Sequence, residues 1–320
     1  FSERPCPSAG LPRSPQQSGP SAIVKGDFTN GWNNYGWRWK LTDRPLRPRK
    51  YDQPIWNGGA LSEKTIFVYA EQGSSDTIQF ARYLGLLKAQ GAQVIFEAPE
   101  NLRRLLEYGD YTDILIVENQ SPPTFDYHAS LMDLPRLLNT TLDTIPDRGN
   151  FLAPPPGLTD RWGQRIAAGP HQRIGLTWAG NAAQKNDHNR SMDANFLRPL
   201  TEIPNLSLYS LQLGRPGEAV GIFGNAVTDL SPLITDFADT AAAMQHLDLI
   251  ISVDTSVAHL ASTLDKPVWA LLCFDPDWRW LLERDDSPWY PTMRLFRQTE
   301  IGDWAGVITR VGEALREFGP

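Results

Sequence analysis

This chain of 320 residues has little of what several common kinds of protein require. It holds two cysteines, Cys6 in a Pro/Ser-rich stretch and Cys273 at the end of an apolar run. No disulfide framework is indicated, and that usage suits the cytosol. The five histidines are scattered, with no His-x-x-x-His or paired-Cys spacing, so no metal is expected. No apolar stretch approaches the roughly 18–20 residues that span a bilayer, so no transmembrane segment is expected. A Gly-x-Ser-x-Gly elbow and a Walker-type phosphate loop are also missing. The start, Phe1-Ser2-Glu3-Arg4-Pro5, has no signal-peptide layout and no Met, which suggests a piece of a longer chain. Formal net charge is −7, the opposite of the balance a phosphate-backbone binder needs, so nucleic acid is not an expected partner. A locally basic cleft for one diphosphate remains compatible with that total.

Hydrophobic residues make up 41% and charged residues 21%, an ordinary globular balance. The length allows two domains of roughly 100–150 residues, each with its own core. Eleven tryptophans cluster from Trp32 to Trp39 and from Trp278 to Trp289. Either cluster can be internal packing or the aromatic wall of a sugar site.

Residues 1–26 are rich in Pro, Ser, Gly and Gln without hydrophobic period and read as a disordered tail. Residues 27–62 read as a short helical remnant and a Pro-broken linker. From Lys64 onward, strands and helices alternate. The apolar β-branched run 65–70 predicts a buried parallel strand. Phe80, Ala81, Leu84 and Leu87 recur at helical spacing over 77–89, and Gly91 closes that helix. Strands are expected at 93–98, 113–117 and 125–129, with helices at 100–107 and 130–138. Pro154-Pro155-Pro156-Gly157 marks a break. The alternation then restarts, with strands at 173–178, 206–212, 247–253 and 268–273. Helices are expected near 195–200, at 239–246, 255–264 and 303–318. Two such runs imply two doubly wound parallel sheets, an α/β fold with ligands beyond the carboxyl ends of the strands. The division is 63–160 for the first domain and 161–320 for the second.

The strongest motif is Asp254-Thr255-Ser256-Val257-Ala258-His259. A buried strand delivers Asp254 and Thr255 to a turn, and a helix begins at once. Thr255 or Ser256 can cap that helix, whose free N–H groups and dipole favour an anion. His259 lies three and four residues on, so the three can line one face of the first turn. On spacing alone, an ordinary capped helix with a packed histidine is an equal reading.

The segment from Asp254 to Ala261 resembles the nucleotide-binding signature of heptosyltransferase-type glycosyltransferases. It also resembles the glycosyltransferase domain that follows tetratricopeptide repeats in bacterial proteins. Ala70-Glu71-Gln72-Gly73-Ser74-Ser75-Asp76, Leu176-Thr177-Trp178-Ala179-Gly180-Asn181, Lys185-Asn186-Asp187-His188-Asn189-Arg190-Ser191 and Ser210-Leu211-Gln212 are similar to the second group. So are Asp236-Phe237-Ala238-Asp239, Asp277-Trp278-Arg279-Trp280-Leu281-Leu282 and Ser287-Pro288-Trp289-Tyr290-Pro291, in the expected order. The resemblance covers the chain from about residue 27 to its end. It implies the GT-B architecture, two facing Rossmann-like domains with the donor on the C-terminal one and the acceptor on the N-terminal one. The implied partners are a nucleoside-diphosphate sugar and a protein, glycan or lipid-linked hydroxyl acceptor, with no cofactor.

The resemblance makes Asp76 the general base for the acceptor hydroxyl, although a carboxylate there could equally cap a helix beginning at Thr77. Glu71 is the reserve base. The family usually has Gly where this chain has Ser75, which restricts that turn. The resemblance assigns Lys185 to the donor diphosphate. Arg190 either contacts phosphate or pairs with Asp187. Gln212 ends a strand where this fold meets the nucleotide base. Asp236 is placed to touch ribose or sugar hydroxyls, and Asp239 reads as a helix cap. Two other functions share this crevice: an inactive nucleotide-sugar-binding scaffold and a sugar-nucleotide epimerase.

Overall fold

The computed structural model describes residues 20–40, 49–146, 151–166, 169–184 and 186–318. Of the expected disordered tail, residues 1–19 lie outside this set. The end of that tail needs correction, because Ile23 is fully buried in the core.

Helix α1, Phe28–Tyr35, precedes the sheets, with Asp27 accepting from the Asn30 amide at its start. The first sheet contains β1 Thr65–Tyr69, β2 Gln93–Ala98, β3 Ile114–Val117 and β4 Tyr127–Ser130. All of its pairings are parallel, in the order β3-β2-β1-β4. The second sheet contains β5 Gln172–Thr177, β6 Leu206–Ser210, β7 Val227–Asp229, β8 Leu249–Val253, β9 Val268–Leu272 and β10 Met293–Arg297. It is also parallel throughout, in the order β10-β9-β8-β5-β6-β7. Counted from β5, this is the dinucleotide-fold order, in which the chain reverses direction across the sheet between β5 and β8. The first sheet reverses in the same way between β1 and β4. At such a reversal the loops leave in opposite directions and open a crevice at the strand ends.

The central strands β8 and β9 are buried at every position, as expected for apolar runs covered on both faces. Three further helices position the functional loops: α2 Ser74–Phe80, α3 Phe237–Met244 and α4 Ser256–Thr263. A closing helix, α5 Trp304–Glu317, lays Val307, Ile308, Val311 and Leu315 on the second sheet.

Helix α2 starts at Ser74, three residues earlier than its apolar stripe suggests, and gives way to a 3₁₀ turn at Ala81–Tyr83. Ser75 therefore sits in helical backbone that any residue adopts, and the expected restriction of the turn does not arise. The two edge strands, β7 and β10, went unread in the sequence.

The domains do not merely face each other. α2 of the first lies against α4 of the second, and a single buried cluster runs through Phe80 and Leu84 to Ala258 and Leu260. Trp32 of α1 is the peg of this junction. It meets Phe80 edge-on on one side, and Trp278 and Trp289 on the other, with ring centroids at 6.2, 5.3 and 6.3 Å. Trp32, Trp278 and Trp289 are therefore internal packing between domains.

Candidate functional site

The crevice of the second sheet is built by the loops after β5 and β8. β8 ends in Asp254, and Thr255 then adopts extended backbone and caps α4, its hydroxyl accepting from the Val257 amide at 3.3 Å. A Ser252–Thr255 hydroxyl contact of 3.0 Å steadies the cap. Thr255, rather than Ser256, is the capping residue, and Ser256 is the half-buried one at the mouth of the helix.

His259 turns inward instead of sharing an open face with Thr255 and Ser256. It is 1% exposed, its Nδ1 is 2.8 Å from the Tyr290 hydroxyl and its ring stacks on Trp280. Burial, joined by the charges of Arg279, Arg82 and Arg190, holds its pKa well below the usual 6.5, so it is a neutral imidazole. Its Nε2 lies 3.8 Å from Asp254 Oδ1. Burial and the charge of Asp277 push the Asp254 carboxyl up to about 6.

Arg190 reaches this turn from the loop after β5. Its Nη1 donates to the Asp254 carbonyl at 3.0 Å, and its Nε pairs with Asp187 at 3.1 Å. Both readings of Arg190 thus meet in one side chain: it pairs with Asp187 and also lies at the donor turn. Gly180 makes the approach possible, since a Cβ there would stand 2.5 Å from both Arg190 Nη2 and Asp187 Oδ1. Lys185 lies outside the described residues.

Gln212 does not present its amide to a ligand. Its Oε1 accepts from the Trp178 and Ala179 amides at 2.9 and 2.8 Å, and its Nε2 donates to the Ala179 and Leu213 carbonyls. It ties the end of β6 to the end of β5. The cap expected of Asp239 falls to Asp236, and Asp239 is committed to other partners. Asp236 caps α3, accepting from the Ala238 and Asp239 amides, and it pairs with Arg104 of the first domain at 3.0 Å. Asp239 is a buried acceptor for Trp162 Nε1 and Thr235.

Across the junction stands Asp76. It does not cap a helix at Thr77 but occupies the third position of α2, where its Oδ2 reaches back to the Gly73 amide at 2.9 Å. A carboxylate in a first turn is favoured by the helix dipole. Its Oδ1 receives Arg279 Nη2 from the second domain. Burial pushes the Asp76 carboxyl up, Arg279 opposes that, and Asp277 adds to it. Glu71, the reserve base, is sealed. Arg38 grips it with Nε at 2.7 Å and Nη2 at 2.6 Å, Ser130 donates to it, and its side chain is 2% exposed. The same Arg38 pairs with Asp133 at 3.0 Å, so the reversal point of the first sheet is filled by the segment after α1.

A cavity of about 410 Å³ opens at the ends of β2 and β3, lined by Arg49, Tyr51, Glu97 and residues 118–122. Sequence reasoning assigned no role to Arg279 or Arg38. The Asp76 partner of Arg279 and the Glu71 partner of Arg38 lie 203 and 33 residues away, so no local pattern announces those pairings. No group of three His, Cys, Asp or Glu side chains is placed to hold a metal among the described residues.

Residues 224–279 match the family described as Glycosyltransferase family 9 (heptosyltransferase), a span that includes α3, β8 and most of the donor turn's surroundings. Protein FlbA of Caulobacter vibrioides is 25% identical over 327 aligned positions, covering 92% of this chain. The chain spans about half, 54%, of that relative. A solved glycosyltransferase family 9 protein of Veillonella parvula is similar with a TM-score of 0.60 at 13% identity, covering 83% of this chain and 92% of that one. The E. coli ADP-heptose lps heptosyltransferase II follows at 0.54 and 13%, covering 79% of this chain and 98% of that one. The fold is therefore GT-B, two parallel-sheet α/β domains matching these heptosyltransferase-family structures.

Proposed function

We propose that this chain transfers a sugar from a nucleoside-diphosphate donor to a hydroxyl acceptor. One observation carries the reading: the helix that bears Asp76 in the first domain packs against the helix that opens at the Asp254–His259 turn of the second, across a single buried junction. The donor diphosphate lies at the start of α4, where free N–H groups and the dipole favour an anion and Arg190 adds a cation. The leaving diphosphate gains negative charge as the anomeric C–O bond breaks, so these groups stabilise the transition state more than the ground state. The acceptor oxygen forms the new bond to the anomeric carbon, and its proton passes to Asp76. A carboxyl raised by burial suits that task better than one held at the ordinary carboxylate value. Thr255 and Gln212 hold the loops, His259 stacks beneath the turn, and none of these three needs to touch the sugar.

The similar E. coli structure is that of an ADP-heptose heptosyltransferase, so ADP is the first ligand to try. In a titration calorimeter ADP or UDP should bind the wild type and bind Arg190→Ala at least tenfold more weakly. Asp76→Asn should retain binding and lose sugar transfer. Turnover unchanged in Asp76→Asn would remove it as the base.

A further inference from the structure

Arg279 is the charged side chain that the two-domain reading leaves without a task. It is buried and sits in the 3₁₀ turn Trp278–Trp280, with Trp278 against its guanidinium face at 4.3 Å. Each of its three nitrogens has a partner. Nη1 pairs with Asp277 at 2.8 Å, Nε donates to Gln79 Oε1 at 2.6 Å, and Nη2 takes Asp76 Oδ1. With the Gly73 amide on Oδ2, both oxygens of Asp76 are engaged. Each oxygen keeps a second lone pair, but a carboxylate facing a guanidinium is a weaker base, and withdrawing that charge strengthens it toward the proton of an acceptor hydroxyl. The same 3₁₀ turn borders the donor side, since the next residue, Trp280, stacks on His259 of α4 with ring centroids 5.3 Å apart, and the guanidinium favours the deprotonated forms of both Asp254 and His259. Beside it, Gln79 Nε2 is buried with no partner, a donor left over for an incoming acceptor atom.

We propose that Arg279 is a latch between donor binding and the acceptor-side carboxylate: it covers Asp76 when no diphosphate is bound, and a diphosphate at the start of α4 draws it off. This rests on the donor site proposed above. The groups facing Asp76 are Arg279 and Asp277 from the turn of the second domain, Glu71 from its own loop, and Tyr35 from α1. Of these, Arg279 alone carries positive charge, and it has the planar five-donor fork that can pass from carboxylate to phosphate. Arg279 is thus a positioning residue, and Asp277 keeps it anchored while its other arm exchanges.

The latch makes a statement about binding that a purely structural ion pair does not. Asp76 and the diphosphate compete for one guanidinium, so removing the carboxylate should tighten nucleotide binding from the opposite domain. Calorimetric titration of ADP and UDP should show Asp76→Asn binding about fivefold or more tighter than wild type. Arg279→Gln should bind more weakly, and the double variant should match Arg279→Gln, since the competition is gone. Arg279→Lys, which keeps the charge without the fork, gives a second variant if glutamine there prevents folding; it should bind between the two. Equal or weaker nucleotide binding by Asp76→Asn, with wild type binding normally, overturns the latch alone. Failure of ADP and UDP to bind any variant overturns the donor site and the latch together. A urea-unfolding cycle over the same four proteins reads the pair without nucleotide. The double variant should lose much less stability than the two single losses combined, and additive losses would overturn the pairing itself.

Discussion

Asp254 is the residue whose charge state the structure opposes most visibly, and that opposition is measurable. Its carboxyl is pushed up to about 6 from an ordinary 3.8, first by burial and then by the charge of Asp277. The native state therefore holds a proton that the unfolded chain releases between those two values. Below about pH 3.8 the protonated group costs nothing. As pH rises from about 3.8 the unfolded chain gains by ionising while the native carboxyl stays protonated, so stability is lost progressively until the native group also ionises near 6. The distance from 3.8 to about 6 corresponds to about 3 kcal/mol at full ionisation, an upper bound because the turn can relax. Replacing Asp254 by Asn keeps the volume and removes the charge. Urea unfolding at pH 4, 6 and 7.5 should show the two proteins nearly equal at pH 4. The variant should be more stable by about 1–3 kcal/mol at pH 7.5, with the gap opening above about pH 4 and levelling off past about pH 6. An Asn variant that is less stable at pH 7.5, or whose curve runs parallel to wild type, would show that Arg190 and Arg279 fully accommodate the charge. The proposed explanation for retaining such a group is that the turn is shaped for a ligand at some cost to stability.

Two other perturbations test the frame around that turn. Trp32 is 2% exposed and touches aromatic rings of both domains, so Trp32→Ala should cost about 3–5 kcal/mol in chemical unfolding; a loss below about 1 kcal/mol would mean that the domains hold together without the peg. Gly180→Ala places a methyl on Arg190 Nη2, a movable side-chain tip, so it should displace the guanidinium while hardly changing the melting temperature. ADP binding should then weaken by about the same factor as in Arg190→Ala, and unaltered affinity would take Arg190 out of the donor site.

The parallel sheets were legible because β1, β8 and β9 are short, apolar and enriched in β-branched or aromatic residues, as buried strands must be. The edges were not: β7 has only three residues and β10 alternates Arg with apolar side chains, a pattern that loops share. Local chemistry also misplaced the start of α2. An acidic residue in the sequence before Thr77 reads as a cap, yet the same residue serves three positions inside the helix by reaching back to Gly73. Asp236 took the cap read for Asp239 for a similar reason, because two acidic residues three apart satisfy the capping pattern in either register. Gln212 shows a different limit. Its partners at Trp178 and Ala179 lie 34 and 33 residues back, so only the neighbouring strand end reveals that its amide ties two loops together.

The continuous core between domains bears on how an acceptor could reach Asp76. A hinge that swung the domains apart would expose Trp32, Phe80, Trp278 and Trp289 and would break the Arg104–Asp236 and Arg82–Trp289 links at the same time. Each buried aromatic ring taken into water costs about 1.5–3 kcal/mol, so wide opening is disfavoured by far more than a typical lid motion. Access then has to come from rearrangement of side chains at the strand ends, with the domains still packed. Arg279 is placed for such a rearrangement. Its two carboxylate partners sit on different domains, and exchanging one of them moves a guanidinium arm while the aromatic peg stays seated.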